Sequence, residues 1–326
     1  MESGSAVERA VDALPSGRWL LAVSGGRDSM VLLDAMARRR REQIAGVATF
    51  DHGTGAQATA ACDLVAQEAS AQGLTLFRGR ADGGLARTEA AWRGARWTFL
   101  DEAAASAGAR VMTAHTRDDQ IETVVLRLLR GSGPRGLAGM LLVGPVDPSD
   151  PSVLDRPLRP MLAVPRAAVA AYAASHRVPF REDPGNATPD FQRNRVRREI
   201  LPALERVAPG FSEWCWTLGL RAADWRAQVE ALVDSLGVRR ISPTTVTVPV
   251  ETVAALDAAA WEVCWPAIAA RAGVVMDRRG VDRAARWAPT AQAGQTIPLS
   301  GGARLSRTRT TYVVEGTVRG AVDYIS

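Results

Sequence analysis

The sequence predicts an α/β protein: a parallel sheet covered by helices over the first part of the chain, then a smaller, mainly helical part ending in a β-hairpin. Three observations carry this expectation. Apolar runs without alternation recur at Trp19–Val23, Ile44–Phe50, Leu74–Phe77 and Val111–Ala114, as strands buried on both faces require. Stretches of helical length separate them, the pattern of a sheet with helices on both sides. Beyond Gly210 that alternation stops, and tryptophans take over at Trp214, Trp216, Trp225, Trp261 and Trp265.

Taken in order, Trp19–Val23 runs straight into glycines, as a buried strand does before a tight turn. Asp28–Arg40 then spaces Met30, Leu33 and Ala37 along one helical face, with arginines opposite. Ile44–Phe50 is the second strand and Ala58–Ala71 the helix after it. Leu74–Phe77 and Val111–Ala114 follow as strands, with a long helix from Leu85 to Ala107 between them, and Asp118–Arg130 makes the next helix. Between Gly144 and Arg159 the density of proline and aspartate predicts a long loop. Helical spacing returns at Pro165–Ser175 and Asn194–Val207, and Pro209–Gly210 is the expected hinge between a domain of residues 1–210 and one of residues 211–326. The second domain should hold a Trp-rich helix, a β-like run at Thr244–Val250, a helix through Trp261 and Trp265, and a hairpin turning at Gly301–Gly302.

Composition narrows the function. A chain of 326 residues, 47% hydrophobic and 23% charged, buries a sizeable core in two domains. The net charge of +5 attracts an acidic partner such as RNA, although it serves solubility equally well. The chain contains no lysine, so every basic residue besides the three histidines is arginine. That excludes a G-x-x-x-x-G-K-[ST] phosphate loop and a lysine Schiff base. Cys62, Cys215 and Cys264 form no C-x-x-C pair, against a disulfide scaffold or a zinc ribbon, and read as small buried hydrophobes. The first residues are acidic without an apolar core, unlike a signal peptide, and no stretch fits a membrane span; a cytoplasmic protein is expected.

Three clusters carry chemistry. Ser24-Gly25-Gly26-Arg27-Asp28-Ser29 lies between the first strand and its helix. Glycines let backbone amides approach a phosphate, the helix N-terminus adds positive charge, and the serines offer hydroxyls. Asp28 cannot bind phosphate itself, so its natural use is to hold magnesium, although a helix cap is the plainer reading. The second cluster, Thr113 to Thr123, contains His115, Asp118, Asp119 and Glu122 at the end of a strand, where parallel sheets bind ligands. Three acids in a turn and a half repel unless a cation shares the site: magnesium, or a substrate ammonium. Acids in a first turn also suit the helix dipole, and Thr116 with Asp119 resembles a capping box. The third cluster sets Arg193, Arg195, Arg197 and Arg198 around Asn194, which suits phosphate or carboxylate binding, or else a solvated helix face.

Together these motifs resemble the tRNA(Ile)-lysidine synthetase family, members of the N-type ATP pyrophosphatases. The resemblance runs over roughly residues 17 to 205: S-G-G-R-D-S, then Asp51-His52-Gly53, E-A-A-W-R-G-A-R-W from Glu89, and A-H-T-R-D-D-Q-I-E-T. It continues through R-G-S-G-P-R-G-L-A-G-M from Arg130, R-P-L at Arg156, and E-D-P-G-N followed by F-Q-R-N-R-V-R. Thr54-Gly55 stands where the family has Leu-Arg, and Thr116 where it often has a second histidine.

The resemblance implies a Rossmann-like, adenine nucleotide alpha hydrolase-like domain followed by a tRNA-binding one. It implies an ATP-dependent ligase that joins L-lysine to the wobble cytidine of the CAU-anticodon tRNA(Ile). The C2 oxygen would attack the α-phosphate of ATP, pyrophosphate would leave, and the lysine ε-amine would displace AMP. On this chain the nucleotide would lie on Ser24, Gly25, Gly26, Arg27, Asp28 and Ser29, with Mg2+ on Asp28 and Asp119. Asp28, His115, Asp119 and Arg195 would be catalytic. Arg93, Asp118, Glu122 and Asn194 would hold lysine or the adenylate, with Asp118 and Glu122 taking the side chain on electrostatic grounds. A homodimer is an open expectation.

Overall fold

A computed structural model of the chain describes residues 4–53, 55–81, 84, 88–140, 157–182, 192–254 and 256–317. It divides into two compact units, one running to Ala222 and a second beginning at Ala223.

The first unit is built on four parallel strands. They are β1 (Trp19–Ala22), β2 (Ile44–Asp51), β3 (Leu76–Arg80) and β4 (Arg110–Met112), in the order β3-β2-β1-β4. Leu158 extends the edge by a parallel bridge to Met112. The pleat explains the unbroken apolar runs. Leu21 packs with Val47 and Met112 on one face, against Met30, Leu33 and Tyr172, while Leu20 packs with Ala48, Trp97 and Leu100 on the other. Both faces are covered, so neither phase of the alternation can be polar. The third strand begins at Leu76 rather than Leu74, because its ladder to β2 pairs Leu76 with Val47 and runs on to Arg80 beside Asp51.

Helix α1 (Ala6–Asp12), not expected from the sequence, precedes the sheet, while α2 (Arg27–Arg39), α3 (Ala56–Ala71), α4 (Glu89–Ala107) and α5 (Arg117–Leu129) follow the expected spacing. The expected start of α4 at Leu85 lies outside the described residues, as do Asp183 to Asn186, Phe191 and most of the Pro/Asp-rich loop. After the short α6 (Pro134–Leu137) come α7 (Arg166–His176), α8 (Gln192–Arg195), a π turn at Val196–Ile200 and α9 (Leu201–Val207). The π turn has a local cause: Pro202 opens α9 and has no amide to donate to the turn before it.

Helix α10 (Phe211–Ser235) carries the chain into the second unit. There an antiparallel sheet of β5 (Arg239–Ser242), β6 (Thr245–Pro249), β7 (Thr296–Pro298), β8 (Arg304–Arg307) and β9 (Thr311–Glu315) has the order β5-β6-β9-β8-β7. The expected hairpin is its β7–β8 pair, which turns through Gly301 and Gly302 at positive φ. After the short α11 (Val250–Val253), helices α12 (Ala258–Ala270) and α13 (Arg278–Trp287) join this sheet in one core. Within it Trp261 stacks on Trp265 at 4.8 Å, and Tyr312 donates its hydroxyl to the Ala288 carbonyl at 2.6 Å. Among the described residues, no helix is long and apolar enough to cross a membrane.

Candidate active site

The strand order places a chain reversal between β1 and β4: the sheet grows from β1 to β2 and β3, then returns to the other side of β1. A parallel sheet opens its ligand crevice at the carboxyl ends of the strands flanking such a reversal. Two of the three sequence clusters start there.

The first is the turn after β1. Gly25 adopts a φ of +83°, and a side-chain Cβ at this position would stand 2.7 Å from the Ala61 carbonyl oxygen. Glycine is therefore required both by conformation and by space. Ser29 braces the turn, donating its hydroxyl to the Gly26 carbonyl at 2.9 Å and accepting the Ser24 amide at 3.1 Å. Gly26 caps α2 without a side chain to occupy the first-turn amides, so those amides and the helix dipole are available to an anion.

The second begins where β4 ends. Thr116 caps α5 in a reciprocal box: Asp119 Oδ2 accepts the Thr116 amide at 2.7 Å and its hydroxyl at 2.8 Å. This fixes Asp119 while aiming Oδ1 away from the cap. Oδ1 then accepts from Arg166 at 2.9 Å and Arg193 at 3.1 Å, with Arg197 at 3.5 Å. Glu122, whose side chain is 1% exposed, meets the same three residues: Arg166 at 3.2 Å, Arg193 at 2.8 Å and Arg197 at 2.7 Å. Asp118 accepts the main-chain amide of Arg166 at 2.7 Å. Among the described residues, the cations these acids share are thus arginines.

The two clusters meet at Arg166, whose Nε lies 3.7 Å from Asp28. Burial raises the proton affinity of Asp28 against the pull of Arg166, and the Asp119 charge raises it further. Asp119 goes the other way: burial works to raise it, but Arg193 and Arg166 prevail and hold its carboxyl well below the usual range. His115 hangs from Thr113, its Nδ1 2.9 Å from the Thr113 hydroxyl. Burial, followed by the Arg159 charge, keeps its imidazole neutral, with a pKa of about 3. Gln120, fully buried, clamps the segment after α6, donating to the Ala138 carbonyl at 2.9 Å and accepting the Met140 amide at 2.8 Å.

The structure therefore brings together Asp28, Asp118, Asp119 and Glu122, with His115 close enough for its charge to act on Asp119. Asn194 is buried in α8. Arg93 lies half-buried on α4, where its charge acts on Arg96. Arg195 points elsewhere, with a side chain 60% exposed and Glu199 4.0 Å away. Its neighbours Arg193 and Arg197 make the contacts instead. Four-residue spacing puts those two on one helical face and Arg195 on another, a signal present in the sequence. Arg166 had no such signal, because nothing about the first residue of α7 announces its partners.

Comparison with known proteins agrees with this fold. Residues 2–204 match the family model described as a PP-loop domain. A tRNA(Ile)-lysidine synthase of Salinispora arenicola is 41% identical over 248 residues, covering 72% of this chain and 72% of the relative. The chain belongs to the tRNA(Ile)-lysidine synthase family of PP-loop proteins. A further member, from Rhodopseudomonas palustris, is 42% identical over 223 residues, or 66% of this chain; the match spans 62% of that relative's length. Among solved structures, the U34-tRNA thiolase NcsA from Methanococcus maripaludis, with its 4Fe-4S cluster, has a TM-score of 0.52 at 16% identity, covering 67% of this chain and 77% of that one. That likeness is one of fold. Here Cys62, Cys215 and Cys264 are each buried and free.

Proposed function

We propose that this chain is a tRNA(Ile)-lysidine synthase, ligating L-lysine to the wobble cytidine of the CAU-anticodon tRNA(Ile) at the expense of ATP. The observation that carries the reading is the junction of the glycine turn with the Asp28–Arg166–Asp119 bridge at the sheet's reversal point. ATP lies with its phosphates on the turn amides of Ser24 to Ser29. Mg2+ fits beside Asp28 and Asp119, since Asp28 is a half-buried carboxylate whose proton affinity both desolvation and the Asp119 charge raise, the condition a divalent cation relieves. When bound, it supplies positive charge to the phosphates.

His115, neutral and held by Thr113, offers an uncharged imidazole near the reacting phosphate, which can hydrogen-bond there without adding charge. Asp118 and Glu122 receive the lysine side chain. Glu122 takes an ammonium when one of its three guanidiniums withdraws, so lysine exchanges one cation for another without adding net charge. Arg93, Asn194 and Arg195 serve the lysine carboxylate, the adenylate or the RNA. The second unit grips tRNA through exposed arginines, among them Arg278, Arg279, Arg304 and Arg309, which make affinity salt-dependent. The domain boundary we favour for truncation is near residue 210, before α10 begins.

The test is incorporation of radiolabelled lysine into a CAU-anticodon tRNA(Ile) transcript with ATP and magnesium. Label that disappears in Asp28→Ala supports the reading. Pyrophosphate release without label would keep the ATP site and reject lysine as the nucleophile. Asp118→Asn should raise the KM for lysine far more than that for ATP, and equal effects would remove Asp118 from the lysine site.

A further inference from the structure

Arg166 touches acids from both motifs, but not with equal grip. Its Nη2 donates to Asp119 at 2.9 Å and its Nη1 to Glu122 at 3.2 Å, both at hydrogen-bond distance. Its amide donates to Asp118 at 2.7 Å. Toward Asp28 it presents only Nε, at 3.7 Å, an ion pair without a hydrogen bond. The guanidinium is thus anchored on α5 by two contacts, its backbone by a third, and it leans on Asp28 by one. Asp28 is also the more accessible end, with a side chain 25% exposed against 12% for Asp119 and 1% for Glu122.

Among the described residues, Asp28, Asp118, Asp119 and Glu122 meet Arg27, Arg166, Arg193 and Arg197. A divalent ion entering beside Asp28 therefore meets an arginine already there, and the contact that yields most easily is the long one to Arg166.

We propose that Arg166 is a positioning residue that fills the cation place beside Asp28 until nucleotide binds, and yields it to the nucleotide's metal while staying anchored on Asp119 and Glu122. The consequence is ordered charge exchange. Without nucleotide phosphates the arginine disfavours a bare metal ion; once they arrive, Asp28 is released to the metal and Arg166 stays in the site as a fixed positive charge. The inference rests on the proposed nucleotide site, not on lysine or tRNA.

The experiment measures Mn2+ binding to the full chain without nucleotide, from the loss of the free-ion electron paramagnetic resonance signal, with Mg2+ as competitor. Removing a positive charge from beside Asp28 should let Arg166→Gln bind Mn2+ roughly ten-fold more tightly than wild type, about 1.4 kcal/mol. Arg166→Lys keeps the charge but loses the planar fork, and should fall between the two. Adding Asp28→Asn to Arg166→Gln should cancel the gain. Equal or weaker binding by Arg166→Gln overturns the proposal, as does a gain that survives Asp28→Asn. Should Arg166→Gln not fold, Arg166→Lys decides alone, with tighter binding expected and no change overturning. Failure of lysine incorporation would leave this result standing, and failure of the metal gain would leave the ligase reading standing.

Discussion

The glycine turn and the arginine–carboxylate cluster lie at the same sheet edge yet are built on opposite principles. The turn is six consecutive residues, Ser24 to Ser29, held by main-chain groups and the Ser29 hydroxyl. The cluster is assembled from side chains of Asp28, α5, the start of α7 and the α8 region, and its members are charged and largely buried. A contiguous turn fails through sterics, one residue at a time. An assembled ion cluster fails collectively, because removing one charge strands those of the opposite sign.

That contrast predicts where the largest damage falls. Glu122→Ala leaves Arg166, Arg193 and Arg197 facing a carboxylate too few, at a site 1% exposed where water cannot compensate. Breaking such a buried pair costs about 3–5 kcal/mol, which thermal melting should record as a greater loss than a substitution in the turn produces. A melting temperature within a degree or two of wild type would show that the cluster is solvated and that the contrast is false.

Gly25→Ala comes next. A non-glycine residue at φ +83° costs about 1–2 kcal/mol, and its Cβ would be pressed against the Ala61 carbonyl at 2.7 Å. Because the turn itself must shift, ATP affinity measured by calorimetry should fall by more than the stability loss alone suggests. Unchanged ATP binding in a folded Gly25→Ala would remove the turn from the nucleotide site.

Acid should separate the regions further. The native His115 pKa of about 3 lies below the ordinary 6.5, so between those values the unfolded chain binds a proton that the folded chain refuses. Stability therefore falls as pH drops from 6.5 toward 3, and is unaffected by this group above 6.5. Asp119, also depressed, adds loss in the same direction at lower pH. His115→Gln should flatten the decline in melting temperature between pH 7 and pH 5, whereas Gly25→Ala should leave its slope intact. Parallel curves for wild type and His115→Gln would refute the assignment.

The same contrast explains what the sequence could reveal. Strands, helices and the turn are set by neighbours in the chain, so apolar runs, helical spacing and paired glycines announced most of them, including the reciprocal cap of Thr116 and Asp119, though not the short α1, α6 and β5. The cluster depends on residues brought together from far along the chain. The acids at 118, 119 and 122 advertised a need for cations, but which cations met them was decided by the path of the chain to α7 and α8. Arg166 lies 47 positions from Asp119, and no local pattern encodes that pairing. Arg193 and Arg197 were halfway legible: their spacing defines a face, but not which of the two arginine-bearing faces turns inward.

Arg195 sharpens that last point and should show the smallest effect. It stands between Arg193 and Arg197 in sequence but is 60% exposed, near Glu199 at 4.0 Å. An exposed pair at that distance contributes about 0–1 kcal/mol. Arg195→Ala should therefore leave the melting temperature and ATP affinity within error of wild type, whereas Arg193→Ala, which takes one partner from Asp119 and from Glu122 together, should lower both. Arg195→Ala nevertheless bears on function, because a side chain directed to solvent can still meet a substrate. If lysine incorporation falls in Arg195→Ala while stability and ATP binding hold, Arg195 acts on RNA or lysine arriving from outside. If all three hold, the inward face of Arg193 and Arg197 accounts for the chemistry of the whole arginine run.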